Sequence, residues 1–126
     1  MIRTLFLSLL LASPLTYAAN WSCKNHDFEI YCGARGCEIN QENFTPMYIQ
    51  LQQAGELKVC AYSACWSGQA KILYDRQHLL ASANELAMEG QKDIAANFIL
   101  AINENNQTGF IQGEGFAMPV QCEPEK

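Results

Sequence analysis

Apolar and polar residues alternate along several short stretches of this chain, the period of a strand with one face buried. Phe28, Ile30 and Cys32 fall on one side of residues 27–32, with Asp27, Glu29 and Tyr31 on the other. Gly33-Ala34-Arg35-Gly36 supplies a turn, and Cys37 to Gln41 can return as a second strand. Pro46 precedes another run, Met47 to Gln52, and Ala54-Gly55-Glu56 reads as a turn. Leu57, Val59 and Ala61 alternate with Lys58, Cys60 and Tyr62, which predicts a second hairpin. Ala70 to Tyr74 is again strand-like and is closed by Asp75-Arg76.

Residues 78–104 carry two competing periods. Leu79, Leu80, Ala83, Leu86 and Ala87 fit one face of a helix that Gly90 would end. Ile94, Ala95, Phe98, Ile99 and Ile102 fit one as well. Against this, Asn84, Asn97 and Asn103 are poor interior helix residues. Phe98 to Ile102, then Glu104 to Gly109, then Phe110-Ile111 reads as strand, turn and strand. The expectation is a mainly β domain of about seven or eight short strands. It is a small antiparallel barrel or sandwich stapled by disulfides, with a short helix near 79–89 as the alternative inside it.

The first 18 residues read as an export signal and not as part of the fold. Arg3 is the positive start, Leu5 to Ala12 the apolar stretch, and Pro14 a helix breaker. Thr16-Tyr17-Ala18 places small residues at the two positions a signal peptidase reads. Cleavage after Ala18 leaves one domain, 19–126. The expected location is the periplasm or the outside of the cell.

The whole chain of 126 residues carries 8 Lys and Arg against 13 Asp and Glu. Loss of Arg3 leaves seven basic residues against the thirteen acidic ones, a balance of −6. Nucleic acid is thereby a poor partner, because its phosphates need clustered Lys and Arg. No apolar run reaches the ~18 residues needed to span a bilayer.

Export changes the meaning of the cysteines. Cys23, Cys32, Cys37, Cys60, Cys65 and Cys122 all follow the signal. An even number in a small exported domain implies disulfides. Six cysteines allow 15 complete pairings, as a matter of combinatorics. Sequence does not choose among them, but Cys32 to Cys37 and Cys60 to Cys65 are both C-x4-C, a spacing that can bring two cysteines opposite each other across a tight turn. Cys23 and Cys122 would then tie the ends of the domain. Zinc is not expected, since His26 and His78 do not sit at ligand spacings, and no C-x-x-C redox pair occurs.

Catalytic signatures are lacking too. Ser67 lies in Trp-Ser-Gly-Gln, not in a nucleophile elbow. Gly109, Gly113 and Gly115 are spaced as turn glycines, without the Lys-Ser/Thr ending of a phosphate loop. A fully paired set of cysteines leaves no nucleophilic thiol. No cofactor is expected. The stretch Cys60-Ala-Tyr-Ser-Ala-Cys65-Trp66 stands out instead. A bridge across so short a loop orders it before docking, and Tyr62 and Trp66 are residue types that anchor interfaces.

Two resemblances bear on this stretch. Phe44 to Met47, Val59 to Gly68 and Gly115 to Cys122 together resemble a group of small exported bacterial proteins of no assigned activity. More locally, Cys60-x4-Cys65 with Gly68-Gln69 and the apolar Ile72-Leu73 after it is similar to the disulfide loop of the periplasmic inhibitors of vertebrate-type lysozyme. In that family the loop enters the lysozyme cleft, and a histidine within it faces the catalytic carboxylates. Ser63 stands at the corresponding position here, with no acidic residue before Cys65. The resemblance implies a binding surface at Tyr62 and Ser63, to which residue type adds Trp66, and an acidic protein is steered towards a basic enzyme. The expected function is that of a non-catalytic exported binding protein whose partner is a lysozyme-like hydrolase. The alternatives are an immunity protein against a delivered toxin and an envelope or glycan-binding structural domain.

Overall fold

The computed structural model describes residues 19–125, so the expected export signal lies outside the described residues. Those residues form eleven strands and no helix. β1 (Asn20–Lys24) is followed by a hairpin, β2 (Glu29–Gly33) and β3 (Gly36–Asn40). A meander then runs through β4 (Met47–Leu51), β5 (Glu56–Ala61), β6 (Ala64–Gln69), β7 (Lys71–Asp75), β8 (His78–Met88), β9 (Gln91–Asn103), β10 (Thr108–Gly113) and β11 (Phe116–Glu125).

β1 closes the sheet. It pairs antiparallel with β4 on one side and with β11 on the other, so an eight-stranded barrel results and not a sandwich. β6 and β7 are the two halves of one bent strand. β6 pairs with β5, β7 pairs with β8, and between them the Ala70 N–H leaves the ladder for Gly55 O at 2.8 Å. β6 meets β8 over the short stretch Trp66–Met88 and Ser67–Ala87.

An eight-stranded barrel is just wide enough for side chains to fill. Ile49, Leu51, Leu57, Val59, Leu100, Ile102, Ile111 and Met118 point inward and are fully buried. Ala81, Ala83 and Ala96 supply the small positions that let Phe98 and Leu86 fit beside them. Gly113 is required by the same crowding, because a Cβ there would collide with the Asn97 carbonyl oxygen.

The helix expected near 79–89 is not present; residues 79–88 belong to β8 and Glu89 to the turn after it. Leu79, Ala81 and Ala83 point inward, and Leu80, Ser82 and Asn84 outward. A bulge between Ala83 and Leu86 then shifts the phase, with Glu85 at φ 56°. The Glu85 N–H donates to Asn97 Oδ1 at 2.8 Å and pins the bulge. That shift, together with an apolar residue outside at Leu80, converts a period of two into one that imitates a helix.

The β2–β3 hairpin forms as expected, but the face it buries differs. It sits off the barrel, attached by the Phe116–Tyr31 and Ala117–Ile30 pairs of β11. Glu29, not its apolar neighbours, is the buried residue of β2, and its carboxylate accepts the Thr45 N–H at 2.9 Å. With no second sheet to cover it, the hairpin leaves Ile39 67% exposed.

All three disulfides join residues directly opposite each other on adjacent antiparallel strands: Cys23 with Cys122, Cys32 with Cys37, and Cys60 with Cys65. No described cysteine is free. Such bridges persist in oxidising compartments. Among the described residues no helix is long and apolar enough to cross a membrane.

Candidate functional site

The β5–β6 hairpin turns in two residues. Ala61 and Ala64 form its last pair, so Tyr62 and Ser63 are the whole turn. Leu57 and Val59 point into the barrel, which sends Cys60 and its partner Cys65 to the outer face. The bridge therefore clamps the turn one pair below its tip.

Tyr62 is 74% exposed and sits at φ 53°. Left-handed backbone is uncommon for an aromatic residue and costs about 1–2 kcal/mol. Arg76 (φ 56°) and Glu114 (φ 52°) open two other two-residue turns with the same backbone, so the left-handed φ belongs to this turn geometry. The Tyr62 N–H reaches Pro46 O at 3.4 Å on one flank. On the other, the Glu89 N–H donates to Cys65 O at 2.8 Å, and Lys58 Nζ pairs with Glu89 at 2.9 Å. Ser63 is exposed beside Tyr62.

Trp66 lies elsewhere. It is opposite Val59, packs against the core and stands 6.1 Å from the Phe98 ring. Its indole Nε1 is buried and has no hydrogen-bond partner among the described residues. Of the three residues singled out from the sequence, Tyr62 and Ser63 are brought together on one exposed turn, and Trp66 belongs to the barrel wall beneath it.

A second feature escaped sequence reasoning. The connection from β1 to β2 lies beside an open groove of about 350 Å³. His26 and Asp27 line one side, His78 and Asn103 the other, with Phe110 and Pro119 in between. Asn103 Nδ2 lies 3.5 Å from His78 Nε2. Phe110 is 49% exposed in the middle of β10. These residues come from five separate segments, and an aromatic at an outward strand position was the one signal available in the sequence.

Among the described residues no group of three or more His, Cys, Asp or Glu side chains is placed to hold a metal. No protein-family model matches the chain, and no curated protein or solved structure does either.

Proposed function

We propose that this is an exported, non-catalytic binding protein that docks a protein partner through the Tyr62–Ser63 turn, with a lysozyme or another wall hydrolase as the partner. The observation that carries the reading is Tyr62: a large, exposed aromatic at the left-handed tip of a hairpin that a cross-strand disulfide closes one pair below. An exposed aromatic at the tip of a turn offers a partner a large apolar area with one polar handle. The clamp removes loop freedom before docking, so less entropy is lost on binding. The turn is narrow, two residues wide at its tip, and suits a cleft better than a flat face. The acidic balance of the chain favours encounter with basic enzymes. Periplasmic or secreted location follows from the export signal and agrees with the disulfides.

The test is capture. The purified, oxidised protein is immobilised and challenged with a panel of lysozymes and with envelope extract. Retention of a hydrolase, lost in Tyr62→Ala, supports the reading. Retention of a delivered toxin instead would make the same turn the surface of an immunity protein. Failure to retain any protein sinks both.

The groove favours a second reading, that of an envelope glycan-binding domain. An exposed Phe110 beside the amide of Asn103 and the imidazoles of His26 and His78 offers a stacking face and polar partners to a sugar. Pull-down on peptidoglycan, abolished by Phe110→Ala and untouched by Tyr62→Ala, would favour it over the first.

A further inference from the structure

β3 and β7 each pair with a single neighbour, β2 and β8 respectively, and so each presents an open edge. An edge strand offers unpaired backbone groups to any extended chain, and proteins usually guard it. β3 is guarded against its own copy. Antiparallel self-pairing about its centre sets Glu38 directly against Glu38, and like charges in that position repel. β7 has the opposite character. Its sequence Lys71-Ile72-Leu73-Tyr74-Asp75 is self-complementary when reversed. Centred on Leu73, antiparallel pairing sets each Lys71 against the other copy's Asp75 and each Ile72 against the other copy's Tyr74. The two Leu73 residues then meet on the two-fold axis.

Exposure agrees with this arrangement. Lys71 and Asp75 are exposed, Leu73 is 61% exposed and Tyr74 52%. Leu73 is also directly opposite Leu80 of β8, itself 37% exposed. Joining two copies at β7 makes a continuous outer row, Leu80–Leu73 running into Leu73–Leu80. A register slip of one residue turns the faces over, and a slip of two sets Lys71 against Leu73 or Leu73 against Asp75, so the charges admit one register. We infer that the β7 edge is a homodimer interface, occupied by β7 of a second copy of this chain in antiparallel, two-fold pairing. A five-residue edge is smaller than a standard interface, so the dimer is weak and concentration-dependent. β7 leads away from the Tyr62 turn, which stays free in both copies.

Sedimentation equilibrium on the purified, oxidised protein tests this. The expected result is a monomer at about 1 μM and a two-fold symmetric dimer at about 1 mM. Lys71→Asp alone, or Asp75→Lys alone, sets like charges opposite each other at both ends and is expected to raise the dissociation constant about tenfold or more. Combining Lys71→Asp with Asp75→Lys exchanges the charges and restores wild-type affinity. Both side chains are exposed, so the variants fold, as circular dichroism will show. A protein that stays monomeric at about 1 mM overturns the inference. So does a dimer that ignores both single changes, or a double variant as weak as the singles.

Discussion

Cys60 and Cys65 face each other across the β5–β6 ladder with 4.0 Å between their Cα atoms. The same Cα separation holds for Cys23 and Cys122, but there the bridge spans 99 residues of chain, against 5 for Cys60 to Cys65. Loop-closure entropy then ranks them. Replacing Cys23 and Cys122 together by Ala is expected to cost about 4–5 kcal/mol, and replacing Cys60 and Cys65 about 2 kcal/mol. Urea unfolding curves of the two double variants measure the difference directly. If the Cys60–Cys65 bridge serves the turn, its loss weakens partner binding more than its small share of stability would suggest.

Tyr62 combines exposure with unfavourable backbone. Asn adopts left-handed φ with little strain. Tyr62→Asn is therefore expected to raise stability by roughly 0.5–1 kcal/mol while weakening partner binding. Thermal unfolding and titration of the same variant report both. A variant that lost stability would show that the Tyr62 ring contributes to the fold.

Trp66 separates a wall residue from a contact residue. Trp66→Phe keeps the apolar ring beside Phe98 and removes the buried N–H that has no described partner. Its stability is expected to change by less than about 1 kcal/mol, because an unsatisfied donor is removed along with some packing. Trp66→Ala is expected to cost about 3 kcal/mol. Partner affinity should not move in Trp66→Phe; a tenfold loss there would return Trp66 to the binding surface.

Asn25 is buried at the point where the chain leaves β1. Its amide nitrogen donates to Thr45 O at 2.8 Å, and its carbonyl oxygen accepts the Met47 N–H at 2.7 Å. The same amide lies 3.1 Å from Met118 Sδ. Asn25→Ala leaves the buried Met47 N–H and the half-buried Thr45 carbonyl unpaired and is expected to cost about 2–4 kcal/mol. Chemical denaturation checks it, with Asn105→Ala in the exposed 104–107 turn as a control expected to stay within about 0.5 kcal/mol.

Much of this architecture is legible in the chain because most of it is local. Leu57 and Val59 alternate cleanly with outward residues, and the hairpin at Tyr62–Ser63 follows from that alternation with the C-x4-C spacing. The 78–104 segment is harder. Leu80 and Ile99 are apolar yet face out, and the bulge at Glu85 moves Leu86 out of phase, so no fixed period survives the segment. Barrel closure is a contact between the first and last strands, and Cys23 and Cys122 were its sole trace in the sequence. The groove at His26, His78 and Phe110 depends on register across several strands, which spacing along one strand does not encode.

We propose the Tyr62–Ser63 turn as the working surface of a wall-hydrolase inhibitor. Isothermal titration of the oxidised protein against a panel of lysozymes and envelope hydrolases, paired with turnover of cell walls, tests it most directly. The expected result is a 1:1 complex with at least one of these enzymes and loss of its activity. Tyr62→Ala then weakens the complex by about 2 kcal/mol, or roughly thirtyfold, without unfolding the barrel. A panel that shows no binding, or a complex indifferent to Tyr62, contradicts it.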